Sequence, residues 1–495
     1  MKIDLLKFKH FREDDFQITS NKIYNLINDF SESEQLSGFY NYFRKKYDLP
    51  EHVIKQTLKQ YLAKSYLFKS SRFKENLKLK KIPMSIFKYS SLIYGLFFFK
   101  RSIKIKKFKI IIDYLASSSE LKRFTKLINL FGSKNVLCIL RNVEIKEDEN
   151  LNYTTYNIKN FRDLNILYLI KSIFYELSYG IWLVIYISFK NRVNLLPISL
   201  RIIHDYLAFK SLFNSYYAKL LLQEKHYNTE PIKNYLFKKS GGVLTSSLQK
   251  NIIQSDPIFF YIDIDTLFTL GESGYERIFN YGGKIKNIKP VGSLFMEYYW
   301  FDNKKEIKKK FDIVIIGINT SNAYERLDSY NSFMEDYYSL YNWAAKFSKE
   351  NLDLNIALIH HASSGRDIIE ENILKDSNIT VLNKNLNSYE VVFSSKIAIT
   401  YGSTMGYELN GHNFPTFFVD PELRCSFLPK YGENCIDKMR LKTYKDFKNI
   451  LKNAIENREN YIFTKLNQNK FCMNSMNVSN QIYNYLIEKA ELRNY

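Results

Sequence analysis

One run in the last quarter of the chain, Ile397-Ala-Ile-Thr-Tyr-Gly-Ser-Thr-Met-Gly-Tyr-Glu-Leu-Asn-Gly411, holds residue types that suit a phosphate and a neighbouring diol. A strand ending at Thr400 would turn at Gly402, and Ser403 or Thr404 would cap the helix that follows. The free N–H groups and positive dipole end of such a helix attract an anion, and the two hydroxyls add donors. Glu408 falls four residues after Thr404, about 6 Å further along the same helix face. A carboxylate there would accept from two hydroxyls of a ribose or sugar. A capped helix with a solvated Glu is the plain alternative.

Five further strand ends carry candidate groups. Ile359-His-His-Ala-Ser-Ser-Gly-Arg366 sets two adjacent histidines at one of them. Neighbours on an extended chain point to opposite sides, so at most one faces a cleft while the other packs. His360 and the bidentate anion donor Arg366 are the candidates here. No carboxylate or further histidine stands at ligand spacing, so no metal site is expected. Gly317-Ile-Asn-Thr-Ser321 offers Thr320 and Ser321, and Lys384 follows a short apolar run. On the other half of the chain, Asp113 closes an apolar run beside Ser117–Ser119 and is the general-base candidate by residue type. Gln249 and Asn251, in Gln249-Lys-Asn251, are candidates for the acceptor side.

Positioning these groups requires alternating strands and helices. Residues 109–115, 136–140, 241–247 and 266–270 read as strands, with a helix over 120–131. A second set comprises 312–316, 355–359, 379–382, 397–400 and 415–419, with a helix over 329–349. Short buried-type strands between helices imply parallel sheets covered on both faces. The expected fold is therefore α/β, two doubly wound Rossmann-like domains facing a cleft, joined by a crossing linker over 288–293 and the charge run 306–310. Residues 1–108 read as a helical, basic extension with an apolar segment, 109–295 as the acceptor domain and 296–440 as the nucleotide-donor domain. Residues 441–495 read as helices packing back across both.

The 495 residues are 45% hydrophobic and 25% charged, with 17 Gly and 9 Pro, which excludes a disordered or collagen-like chain. Four scattered cysteines exclude a disulfide scaffold and suit a reducing compartment. The first residues lack an apolar secretory core, so no signal peptide is expected. Lys and Arg number 72 against 51 Asp and Glu, a net +21 that calls for an anionic partner. Cations cluster at 72–81 and 100–109 around the apolar run 85–99, and Lys171, Lys190 and Arg192 flank a second run, 172–189. The first run is shorter than the roughly 20 residues a span needs. The second contains Glu176, which costs about 3 kcal/mol to insert. The expectation is helices lying on an anionic membrane surface, around 163–222, rather than crossing it. No nucleic-acid recognition motif accompanies the charge.

The two-half arrangement, Pro290-Val-Gly-Ser293 and Gly402-Ser-Thr-Met-Gly-Tyr-Glu408…Pro415…Asp420-Pro421 resemble GT-B-fold glycosyltransferases of bacterial surface-polysaccharide and lipopolysaccharide assembly. More distantly they are similar to the capsule Kdo-transferase and CDP-glycerol glycerophosphotransferase groups. The resemblance covers roughly 109–440. It implies a donor diphosphate at Ser403 and Thr404, with Glu408 on the donor's ribose or sugar. Relatives often show Gln-His-Gly where this chain has Gln249-Lys-Asn251, and His-Pro where it has His360-His361-Ala362. The implied activity is glycosyl transfer from a nucleotide-sugar, without metal or other cofactor, to a lipid-linked or growing glycan. Its expected place is the inner face of the cytoplasmic membrane. A CDP-polyol phosphotransferase and a non-catalytic membrane adaptor are the alternatives.

Overall fold

Strands buried on both faces need apolar residues at successive positions, and the chain supplies two sets of them. A computed structural model describes residues 16–67, 77–88, 105–115, 118–140, 151–155, 167, 171, 174–226, 229–251, 261–273, 275–302, 308–318, 330–361, 367–383, 385–422 and 439–491. The first set comprises β1 (Lys106–Leu115), β2 (Val136–Leu140), β3 (Asn152–Thr155), β4 (Tyr216–Gln223), β5 (Leu244–Leu248), β6 (Asp263–Thr269) and β7 (Lys284–Pro290). They form a seven-stranded sheet in the order β3-β2-β1-β4-β5-β6-β7. The second set comprises β8 (Phe311–Ile316), β9 (Ile356–Ile359), β10 (Ile379–Val381), β11 (Ser395–Thr400), β12 (Thr416–Val419) and β13 (Arg440–Leu441). These form a six-stranded sheet, β10-β9-β8-β11-β12-β13. Every pairing is parallel. Both orders reverse direction between a first and a fourth strand, so each domain is doubly wound with a crevice at that switch point.

The helices that matter below are α1 (Phe16–Ser31), α2 (Ser37–Tyr47), α3 (Glu51–Leu67), α4 (Ser118–Phe131), α5 (Ile181–Asn191), α6 (Leu196–Ser215), α7 (Pro231–Lys239), α8 (Tyr330–Glu350), α9 (Ile368–Leu374), α10 (Ser388–Phe393), α11 (Thr404–Asn410), α12 (Tyr444–Glu456) and α13 (Val478–Glu491). Alternation along β1 sends Ile111 to one core, with α1–α3 and α5–α7, and Ile110 and Ile112 to another, with α4 and α13. The helices of 16–67 thus share a core with the first sheet. In the second sheet Ile313 and Ile315 meet α8 and α12, while Val314 and Ile316 face α10 and α11. After α12 the chain returns, and α13 lies on the first domain. On the way Cys472 passes so close to Gly411 that any Cβ there would stand 2.3 Å from the Cys472 carbonyl oxygen.

Four strands differ from the sequence expectation. β4 lies inside the stretch read as membrane-facing, directly after the 20-residue α6. β3 had no apolar run to announce it, and β13 is a two-residue strand. β7 occupies part of the expected linker: its exposed lysines leave no apolar run to mark a strand, yet lysine-bearing strands are how sheet edges are protected. The crossing begins after it, at Val291-Gly292, where Gly292 has φ +99°. Of the apolar run 85–99, residues 89–99 lie outside the described residues, as do the basic residues 100–104. No helix among the described residues is long and apolar enough to cross a membrane.

Candidate active site

The carboxyl ends of β1, β4 and β5 and the first turns of α4 bring five charged side chains together. Glu224-Lys225-His226 continues directly from β4, with the Glu224 N–H bonded to the Asp113 carbonyl at 3.1 Å. Lys250 follows β5, and its own N–H donates to His226 Nδ1 at 3.3 Å. Arg123 pairs with Glu224, and Lys250 with both Glu120 and Glu224, the latter at 2.8 Å. Lys225 lies 3.3 Å from Glu120 and 3.5 Å from Glu224. Three cations therefore face two carboxylates, an excess of one positive charge at the sheet's switch point. Glu120, Arg123, Glu224 and Lys225 are buried, while the Lys250 side chain keeps 19% of its surface exposed. Desolvation lowers the Lys250 pKa; Glu224 opposes this and Arg123 adds to it. His226 is fully buried, which pushes it down to about 3 and keeps it neutral.

In the second domain, His361 follows β9 within electrostatic reach of Lys250. Desolvation and the Lys250 ammonium both lower the pKa of its ring. His360, the expected candidate, points the other way and pairs with Glu370 of α9 at 3.0 Å. Gly317 abuts His360, and Thr400 Oγ1 donates to the Ile316 carbonyl at 2.9 Å, so the ends of β8, β9 and β11 converge on one edge. Gly402, Ser403 and Thr404 stand there half-buried, and Ser403 Oγ accepts from the Met405 N–H at 3.3 Å, capping α11. An open pocket of about 480 Å³ lies between α4 and the linker, lined by Lys122, Arg123, Lys126, Asn129, Glu297 and Tyr298 among others.

Other expected site residues fall elsewhere. Asp113 is fully buried and accepts from the Lys233 ammonium at 2.6 Å, an ion pair inside the first domain. Gln249 accepts from the Leu270 N–H at 3.1 Å and donates to the Asn251 carbonyl, tying β5 to β6. Asn251 is half-buried beside Lys250. Glu408 turns inward and accepts from Ser293 Oγ at 2.5 Å and Tyr389 Oη at 2.6 Å. Burial raises its pKa, and with its two hydroxyl partners the carboxylate forms an interdomain tether. That tether continues through Tyr389 stacked on Phe295, over which the Arg123 guanidinium sits at 4.4 Å. Thr320, Ser321, Arg366 and Lys384 lie outside the described residues. No group of three His, Cys, Asp or Glu side chains converges as a metal site among the described residues.

Sequence reasoning missed Glu120, Arg123, Glu224, Lys225, Lys250 and His361 as a set. One local signal existed: a Leu-Leu-Leu-Gln strand running straight into Glu-Lys-His at 220–226.

A scan against protein-family models finds no match, and a search of curated proteins finds none. Among solved structures the chain is similar to the wall teichoic acid polymerase TagF with CDPG, at 11% identity and TM-score 0.48, covering 83% of this chain and 96% of that one. It is also similar to S. aureus MnaA with UDP, at 11% identity and TM-score 0.46, covering 78% and 97%. A third is UDP-GlcNAc 2-epimerase from Neisseria meningitidis bound to UDP-GlcNAc, at 9% and 0.46, covering 77% and 100%. The two doubly wound parallel sheets of this chain are read from its own strand order.

Proposed function

We propose that the chain is a GT-B glycosyltransferase that moves a sugar from a nucleotide-sugar donor to a lipid-linked or growing surface glycan. The observation that carries this reading is the cationic cluster at the switch point of the first sheet, where Lys250, Lys225 and Arg123 gather around Glu120 and Glu224. A dianionic leaving group needs preorganised positive charge in a water-poor site, where such charge acts most strongly. Lys250 and its neighbours Lys225 and Arg123 supply it, while Glu120 and Glu224 hold them in place. The half-buried turn Gly402–Thr404, at the strand ends of the second domain, would add hydroxyls and backbone N–H groups for the donor.

In the reaction the acceptor oxygen forms a bond to the anomeric carbon as the bond to the diphosphate breaks. The diphosphate leaves with the electron pair beside Lys250, and the acceptor proton passes to a base. His361 suits that part, because its lowered pKa keeps the imidazole neutral near pH 7. Closure of the two domains over the donor would exclude water and limit hydrolysis. The expected location is peripheral, on the inner face of the cytoplasmic membrane.

The test is incubation of the protein with a panel of nucleotide sugars and a glycan or lipid-linked acceptor, reading released UDP, GDP or CMP. Release that depends on acceptor and is lost in Lys250→Gln supports the reading. Release of CMP from a CDP-polyol with a phosphodiester product would replace it by phosphoryl transfer. Absence of nucleotide binding across the panel would remove the enzyme reading altogether.

A further inference from the structure

Exposed aromatic side chains gather on one face of α5 and the turn before it. Tyr175, Tyr179, Trp182, Tyr186 and Phe189 follow at intervals of four, three, four and three residues, the spacing of a single helix face. All five are exposed, Trp182 at 63% and Tyr186 at 67%, and Phe174 joins them. The opposite face is already occupied: Ile181, Val184 and Ile187 are buried in the helical core, with Ile187 against Gly38. The helix is thus apolar all round with only its inner side covered, and an exposed patch of this kind marks a contact surface.

Charge decides what covers it. Glu176 is the sole acidic residue between 171 and 192, and it is buried beneath the face, where Tyr47 donates to it. The segment 171–192 therefore presents no acidic side chain on its outer side. Lys171 is exposed before the stripe, Lys190 and Arg192 are exposed at its end, and the Lys46 ammonium sits 4.0 Å over the Tyr175 ring. Residues 77–88 are fastened to the loop after α5, with Asn194 N–H bonded to the Leu77 carbonyl at 2.7 Å and Asn194 Nδ2 to Ser85 Oγ at 3.0 Å. That segment adds exposed Met84, Phe87 and Lys88. At 11 residues α5 is about 16 Å long, half of a bilayer's hydrocarbon thickness.

We propose that the Tyr175–Phe189 face is a docking surface for an anionic phospholipid bilayer. The rings of Tyr179, Trp182, Tyr186 and Phe189 enter the boundary between headgroups and acyl chains, where amphipathic aromatics settle, and Lys190 and Arg192 meet lipid phosphates. The surface deepens the peripheral location proposed above by naming the residues that make the contact, while its test is independent of the transferase reading, since binding is measured with no substrate present.

The experiment is co-sedimentation of the full chain with vesicles of phosphatidylcholine alone or of an equimolar mixture with phosphatidylglycerol. The mixed vesicles are expected to carry the protein down. The double change Lys190→Gln, Arg192→Gln should weaken that partition about 30-fold at low salt, about fivefold for each charge. Trp182→Asp with Tyr186→Asp should abolish it while leaving the thermal midpoint unchanged, because both side chains are already in water. Protein that stays in the supernatant with the mixed vesicles, or an aspartate variant that binds as well as the parent, overturns the proposal. A dimer in sedimentation equilibrium that Trp182→Asp splits, without vesicle binding, assigns the face to a second copy of the chain instead.

Discussion

Asp113→Asn removes a negative charge 2.6 Å from Lys233 Nζ, at a place where both side chains are essentially excluded from water. Deleting one partner of a buried pair costs about 3–5 kcal/mol, because the other charge is left without compensation. Two features soften that here: Glu230 remains 2.5 Å from the same ammonium, and the Asn carbonyl can still accept from it. The net loss should be about 2–3 kcal/mol. At about 2–4 °C per kcal/mol for a domain of this class, the first unfolding midpoint should fall by roughly 5–10 °C. Burial lowers the Lys233 pKa, but Asp113 and Glu230 together more than reverse this and hold it above its ordinary value of 10.5. The stabilisation is therefore full at neutral pH and is lost only as pH rises past 10.5 through the raised value. Calorimetry of parent and variant at pH 7 and in alkali reads both effects, and nucleotide release well below the midpoint reads function. A variant with an unchanged midpoint and no turnover would refute the structural role and restore Asp113 as a base.

Lys250→Gln and His361→Asn should each lower turnover by 10²-fold or more while leaving the fold intact, as steady-state rates and circular dichroism would show. Turnover of the parent should follow a bell in pH. Its acid limb lies below the ordinary histidine value of 6.5, where His361 gains a proton, and its alkaline limb below 10.5, where Lys250 loses one. Glu408→Ala, which orphans the Ser293 and Tyr389 hydroxyls, should cost about 3–5 kcal/mol in a denaturant midpoint, whereas Glu408→Gln should cost under about 1. Burial raises the Glu408 pKa, so its contribution is full below 4.5 and declines as pH rises; the Gln variant should gain on the parent over that range. Loss of nucleotide binding in a fully stable Gln variant would return Glu408 to the donor. Asp265 is held at about 2: burial raises it, and hydrogen bonds from Lys238, the Thr245 N–H and Lys286 more than compensate. Its stabilisation is present above 3.8 and lost as pH falls toward 2, so Asp265→Asn should cost about 1–2 kcal/mol at pH 7 and almost nothing at pH 2, after allowance for solvent screening. Acid titration of the midpoint checks it.

Most strands were legible because their cause is local. Val136–Leu140, Ile356–Ile359 and Thr416–Val419 are buried at every position, and the sequence marks the first two with an unbroken apolar run and the third with Phe-Phe-Val after a β-branched Thr. The Gly402 turn, the Ser403 cap and the helix after it were also legible, since a cap acts over two or three residues. Strand β4 was obscured by its own hydrophobicity, which merged with the α6 pattern into one long greasy segment. Strand β7 was obscured for the opposite reason, its edge lysines.

The chain's own order of apolar runs and turn residues determined two doubly wound parallel sheets, because periodicity and turn chemistry are properties of neighbours in sequence. Which charges meet was decided only in the folded molecule. Glu120, Arg123, Glu224 and Lys250 come from three separate segments and converge because β1, β4 and β5 lie side by side. The same folding turned Glu408 and Glu176 inward and left Trp182 and Tyr186 outward. Electrostatic and packing energies depend on distance through space and on exclusion of water, and neither is written in residue spacing.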